Sequence, residues 1–290
     1  MAKRSIIPFG PQHPVLPEPV HLDLVLEDET VVGVIPSIGY IHRGLEKLVD
    51  KRDFKQYTYV AERICGICSC GHGLGYCLAV EQVMNIEVPD RAKYLRTIWV
   101  EMSRVHSHLL WLGLLADAMG FESLHMESWR LREKILDMFD ETTGGRIIHS
   151  VNQVGGVQRD MDSTMLNDIL HAIDDIEKQM KPIVKTFLHD YTVQSRLKGV
   201  GVLSKDDAIA QGAVGPMLRA SGVEYDARLL GYGAYKDLTV EPIISKDGDS
   251  YGRCEVRLKE LFQSFDLIRE AIGKIPQGDI SVPVKGNPDG

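Results

Sequence analysis

The chain has 290 residues, 44% hydrophobic and 26% charged, and its 33 Lys and Arg against 41 Asp and Glu give a net charge of −8. That composition suits a folded domain with a sizeable core, and the acidic balance with no basic run excludes nucleic acid as the main partner. No window approaches the ~18 uninterrupted apolar residues of a bilayer-spanning helix, and the opening MAKRSIIPFGPQHP lacks the apolar stretch of a secretory signal.

The first 40 residues read as extended structure. In HLDLVLEDETVVGVIP, Leu22, Leu24 and Leu26 alternate with polar neighbours, a turn follows near Asp28–Glu29, and Val32 and Val34 resume, a hairpin pattern. Around it Pro8, Pro11, Pro14, Pro17 and Pro19 argue against regular structure. From residue 90 the period changes. Ile98, Met102, Val105, Leu109, Leu112, Ala116 and Met119 step by three and four, predicting a long helix that ends near Gly120. A second helix is expected over 126–144, closed by Gly144–Gly145. A third spans 161–191 on the stripe Leu166, Ile169, Ile173, Ile176, Met180, Ile183 and Phe187, with a kink at Pro182, and a fourth covers 254–275. The expected architecture is α+β and mainly helical. An N-terminal β-hairpin packs on a bundle of long helices, in one domain over 1–290, with hairpin and loops in 1–60 and the helical body in 61–290.

Between these regions lies RICGICSCGHGLGYC, residues 63–77, which holds four of the five cysteines. With no export signal these thiols are expected in a reducing compartment, where such clusters are more often metal-binding or catalytic than structural disulfides. CGIC fits a redox site locally but lacks a surrounding βαβ unit. The run Cys65, Cys68, Cys70, Cys77 does not follow the bacterial ferredoxin spacing. Cys65, Cys68, His72 and Cys77 could close a compact zinc tetrahedron. Cys70 and Cys77 read otherwise as small buried hydrophobes, as does Cys254 in the last helix. A lone Cys-x-x-Cys decides little among these. GHGLGY and GYGAY are glycine-rich but lack the strand–turn–helix setting of a dinucleotide site, and no nucleophile elbow is present, so no NAD, flavin or haem site is expected.

The flanks carry more. FGPQHPVLPEP, Arg43-Gly44-x-Glu46, Arg63-x-Cys65-Gly66-x-Cys68-x-x-x-His72, Ala79-Val80-Glu81, RVHSHLL and GAVGPMLRASGVEYDAR follow one another from residue 9 to about 228. In that order they resemble the large subunit of nickel–iron hydrogenases, especially the energy-converting, membrane-associated group related to complex I. The resemblance covers nearly the whole chain. It implies a nickel–iron centre with carbon monoxide and cyanide on the iron, held by four thiolates, the soft donors such a centre suits. Cys65 would be a terminal nickel ligand and Cys68 a bridge between the metals, while His72 would hydrogen-bond near the bridging sulfur. Glu18 stands where the family carries a glutamate implicated in proton transfer; it would take the proton passed on by Cys65. Arg43 and Glu46 would lie near the site and a subunit contact, and Arg63 would support the metal loop.

The implied reaction is reduction of protons to hydrogen, or its reverse. Implied partners are an iron–sulfur small subunit, further iron–sulfur and membrane subunits of a complex I-like assembly, and ferredoxin, with the chain peripheral to the cytoplasmic side of the membrane. Such a large subunit also needs a second pair, Asp-Pro-Cys-x-x-Cys, near its C-terminus. This chain stops at VPVKGNPDG without it, in what reads as a loop broken at Asp289–Gly290. The competing reading is the quinone-reducing subunit of complex I, which shares GPQHP, HRGxEKL and LAVE but has lost the cysteines. Glu101, Arg104 and His108 fall on one helix face and are expected to form a structural network, and His106 is expected to be a satisfied helix histidine.

Overall fold

A computed structural model describes residues 4–14, 16 and 18–288; Pro17 and the closing Asp289–Gly290 lie outside them. The backbone divides into two compact units, one up to Lys51 and one from Arg52.

The first unit is an antiparallel meander of β1 (Arg4–Phe9), β2 (His21–Glu27) and β3 (Thr30–Ser37), followed by the short helix α1 (Leu45–Val49). The expected hairpin is β2–β3, with Leu24 opposite Val34 and a register shift at Val25–Leu26. Its turn places Asp28 at φ 55°, a left-handed conformation that a short polar side chain tolerates. β1 corrects the sequence reading, because Pro8 lies inside it, paired with Asp23. β1 is an edge strand, and at an edge a residue without an N–H is tolerated. Nor does β2 bury one face. All seven of its residues are half-buried.

The second unit is built around α4 (Asp90–Ala118), about 44 Å long at 1.5 Å per residue. Before it come α2 (Phe54–Ala61) and α3 (Ser69–Val83), and after it α5 (Glu122–Thr143), which ends at Gly144 with φ 78°. A small hairpin, β4 (Asn152–Gln153) and β5 (Gly156–Val157), follows. The chain then forms α6 (Ser163–His189), α7 (Tyr191–Leu197), α8 (Lys205–Ala210), α9 (Gly215–Ala220) and α10 (Ser250–Lys274). The predicted stripe of α4 from Ile98 to Ala116 is fully buried, and the seven-residue stripe of α6 is buried from Leu166 to Phe187. α6 runs as one helix past Pro182. Asp162, Asp190 and Asp249 cap the helices that follow them by accepting backbone N–H groups.

α3 is the element that positions the cysteines, and its residues give no amphipathic stripe to predict it. It is anchored by a buried ion pair, in which Arg96 of α4 donates to both oxygens of Glu81 at 2.9 and 2.7 Å. The same guanidinium donates to the carbonyls of Gln153 and Gly156, and Glu81 accepts the Gly155 N–H at 2.8 Å. One charge pair thus ties α3, α4 and the β4–β5 hairpin together. The LAVE segment owes its glutamate to this joint.

Candidate metal centre

Cys65 and Cys68 sit in the tight connection between α2 and α3. One-turn hydrogen bonds from Arg63 to Val60 and from Ile64 to Ala61 finish α2, and Cys68 is the N-terminal cap of α3, its carbonyl accepting the His72 N–H at 3.0 Å. At a helix start the backbone N–H groups lack intrahelical partners and favour negative charge. The two sulfurs converge to 2.7 Å, with Cys65 half-buried and Cys68 exposed. A two-residue spacer that aims both thiols at one point makes a clamp for a single metal atom. Soft thiolate donors suit nickel or iron. The described residues contain no group of three His, Cys, Asp or Glu side chains able to hold a metal. The donor set therefore fits one half of a four-thiolate centre.

The zinc tetrahedron considered for Cys65, Cys68, His72 and Cys77 does not form. Cys77 lies more than two helical turns beyond Cys68, fully buried, with the Thr58 hydroxyl 3.9 Å from its sulfur. Cys70 is likewise fully buried, its sulfur 3.8 Å from the Asn152 amide nitrogen. Burial pushes both thiols up to about 12, so they remain protonated, and the same holds for Cys254. Their reading as small buried hydrophobes matches these surroundings.

A loop after α5 braces the clamp. Ser69 donates its hydroxyl to the Ile147 carbonyl at 2.7 Å, and a Cβ built on Gly66 would rest 3.5 Å from the Ile147 side chain. His149 stacks on Phe139 with ring centres 3.8 Å apart, and burial holds its imidazole neutral, down to about 4. Ser150, at φ 51°, donates both its N–H and its hydroxyl to Glu62 Oε2 at 2.9 Å. Neither this brace nor Glu62 was visible in the sequence. Apart from the His149–Phe139 stack it is made by contacts more than 75 residues apart, and no local pattern marks it.

The other expected site residues are distributed as follows. His72 is half-buried in the first turn of α3, and Arg63 is exposed, its guanidinium donating to the Tyr59 carbonyl at 2.7 Å. Glu18, Arg43 and Glu46 belong to the first unit and are exposed there. Glu18 borders a concavity with Gln12, His13 and Leu16, and Glu46 lies 3.4 Å from His42. The structure brings together Cys65 and Cys68, with His72 one turn beyond.

Away from the clamp, the α4 face that predicted a structural network holds one. Glu101 pairs with Arg104 at 3.1 Å and accepts from Ser264 and Tyr235, and His108 meets Glu260 at 2.7 Å. Arg219 donates to Glu260 at 2.8 Å, and Asp226 pairs with Arg228 at 2.7 Å. Arg219, Asp226 and Arg228 come from the GAVGPMLRASGVEYDAR stretch, so that motif works through a buried charge lattice. The cationic partners hold Glu260 and Asp226 down to about 2 despite burial. His106 corrects the reading. Its Nδ1 is buried with no partner among the described residues, and Arg132 reaches Nε2 only at 3.5 Å. Burial and the neighbouring Arg132 push its imidazole to about 3.

Comparison with known proteins follows the same division. Residues 43–119 match the nickel-dependent hydrogenase family, and residues 118–287 match the respiratory-chain NADH dehydrogenase 49 Kd subunit family. The alpha subunit of the membrane-bound hydrogenase of Pyrococcus furiosus is 39% identical over 97% of this chain and 68% of its own length. A subunit of the NADH-quinone oxidoreductase of Chloroherpeton thalassium is 38% identical over 97% of this chain and 64% of its own length. A subunit of the F(420)H(2) dehydrogenase of Methanosarcina mazei is 36% identical over 96% and 75%. Among solved structures, a chain of the membrane-bound sulfane sulfur reductase, an archaeal respiratory membrane complex, superposes with a TM-score of 0.92 at 31% identity, over 97% of this chain and 76% of that one. No helix among the described residues is long and apolar enough to cross a membrane. By these matches and by its helical architecture, the chain belongs to the oxidoreductase family that unites the respiratory-chain NADH dehydrogenase 49 Kd subunit with the nickel-dependent hydrogenases.

Proposed function

We propose that this chain is the metal-holding part of the catalytic large subunit of an energy-converting nickel–iron hydrogenase. Its reaction is reduction of protons to hydrogen, or the reverse. The observation that carries the reading is the convergence of the Cys65 and Cys68 sulfurs to 2.7 Å at the mouth of α3, within the segment that matches the nickel-dependent hydrogenase family. When bound there, the metal pair supplies Lewis acidity and electron storage. Cys65 and Cys68 would be one terminal and one bridging ligand, and two further thiolates would come from a segment beyond the described residues. Gly66 and Ser69 keep the loop against Ile147, which fixes the angle between the sulfurs. His72 stands on the same helix end to hydrogen-bond toward the bridging sulfur, and Arg63 covers the loop's exposed side. Glu18 is the proton-carrying carboxylate of this reading, and Arg43 and Glu46 belong to a polar network or secondary proton route.

Electrons arrive from an iron–sulfur small subunit fed by ferredoxin. Membrane partners hold the assembly on the cytoplasmic face. Replacing Glu18 with Gln would abolish hydrogen evolution at unchanged metal content; unchanged turnover rejects that role.

A second reading is favoured by the relatives that act on quinone, F(420)H(2) and sulfane sulfur by name, at nearly the same identity as the hydrogenase. It makes the chain an electron-transfer component of a complex I-like assembly with no hydrogen chemistry. Metal analysis and infrared spectroscopy of the intact native complex separate the two. Nickel with carbon monoxide and cyanide bands supports the first, and a complex lacking all three supports the second.

A further inference from the structure

Glu62 closes α2 three residues before Cys65 and is fully buried. One carboxylate oxygen, Oε2, accepts both hydrogen bonds from Ser150. The other, Oε1, is buried with no partner among the described residues. It lies over Gly73 of α3, where an added Cβ would stand 2.8 Å away, and Gly73 lies between Cys70 and Cys77 on one helix face. Gly73 is what lets a carboxylate approach the helix so closely.

Thr58, beside the Cys77 sulfur, and Asn152, beside the Cys70 sulfur, line a cavity of about 250 Å³ together with Lys55, Tyr59, Val154 and Val282. Asn152 is 1% exposed, its amide nitrogen is directed at Cys70, and its Oδ1 also lacks a partner among the described residues. An unsatisfied buried polar atom costs about 1–3 kcal/mol, and Asn152, whose Oδ1 is one, borders the cavity, a setting in which ordered water bridges groups.

We propose that Glu62 is a proton-carrying residue on a water-fed route from this cavity, past Asn152, to the Cys65–Cys68 loop. The route is distinct from the one through Glu18, and it rests on the hydrogenase reading above. In each passage Glu62 gives its carboxyl proton to a thiolate of the Cys65–Cys68 loop, relayed by water, and regains one from cavity water, so one proton moves and no electron does. Burial pushes the Glu62 carboxyl up, against the Ser150 hydrogen bonds and the Arg63 charge that pull it down, which brings it toward the range where it both holds and releases a proton. The groups facing it are Cys70 and Cys77 from α3, both protonated, Ser150 from the brace, and Arg63 beside it in sequence.

The test is Glu62→Gln in the intact native complex, a change that keeps an oxygen for Ser150 but cannot carry a proton. Hydrogen evolution is expected to fall on the order of 10²-fold with nickel content and thermal midpoint unchanged. Glu62→Asp is expected to recover part of the rate with a displaced pH profile. Wild-type protein labelled at glutamate is expected to show a protonated-carboxyl infrared band that Glu62→Gln removes. Wild-type turnover and pH profile in Glu62→Gln overturn the proton role and leave the hydrogenase reading standing. Loss of nickel with the substitution, or no such band, also overturns it. A wild-type complex without nickel or hydrogen evolution defeats both.

Discussion

Four cysteines within thirteen positions divide into two pairs with opposite fates. Cys65 and Cys68 lie on a loop, reach solvent and converge; Cys70 and Cys77 lie on the helix that begins at once after Cys68, face inward and stay apart. The cause is helix phase. Positions 70, 73, 74 and 77 share the face that α3 turns to α2 and to the β4–β5 hairpin, and the loop pair precedes the first helical turn. A thiol's neighbours in sequence therefore say little about its chemistry until the start of α3 is known.

The widest separation is expected in reactivity. A thiol raised to about 12 is ionised to roughly one part in 10⁴ at pH 8, before any allowance for burial. In metal-free folded protein, alkylation read by peptide mass spectrometry should label Cys65 and Cys68, with Cys70, Cys77 and Cys254 reacting only on unfolding. Equal labelling of all five would erase the distinction between the pairs.

Next in size is the joint that keeps the inner pair inside. Arg96→Met leaves the Glu81 carboxylate buried without its cation and frees the carbonyls of Gln153 and Gly156, so denaturant titration should show a loss of about 3–5 kcal/mol. Labelling of Cys70 should rise with it. A cost near zero would mean that the ion pair does not hold α3.

Acid should loosen the brace behind the outer pair. His149 and His106 have folded-state values depressed to about 4 and about 3 from an ordinary 6.5, so the unfolded chain binds protons that the folded chain refuses. Their stabilising effect is complete above pH 6.5 and is lost as pH falls toward 4, by a few kcal/mol in all. His149→Phe, which keeps a ring on Phe139, should flatten that stretch of the curve; an unchanged slope would remove His149 from the account. The smallest effect is expected for Cys77→Ala, about 1 kcal/mol of stability with no change in bound metal.

Much of the helical frame was legible because it is written in period. The seven apolar positions of α6 from Leu166 to Phe187 and the α4 stripe from Ile98 to Ala116 are buried where the spacing placed them. The elements that escaped are those where tertiary contact overrides local preference. β1 contains Pro8, which only an edge position accommodates. α3 carries Gly71, Gly73 and Gly75, and its one buried face mixes Cys70, Gly73, Leu74 and Cys77 with Ser69 and Glu81, so no stripe of large apolar residues announces it. Of the candidate site, the approach of the Cys65 and Cys68 sulfurs could be read from the Cys-x-x-Cys spacing. Glu62, Ser69, Ser150 and Asn152 could not, because each acts through a partner far along the chain. His106 looked like an ordinary helix histidine, and only the packing of α5 shows its Nδ1 stranded.

X-ray absorption at the nickel edge of the intact native complex tests the outer clamp most directly. Sulfur neighbours at thiolate distance are expected, diminished or lost with Cys65→Ser and unchanged with Cys77→Ala. Nickel that keeps its full sulfur shell in Cys65→Ser, or a native complex with no nickel at all, would contradict the assignment of this loop as the metal clamp.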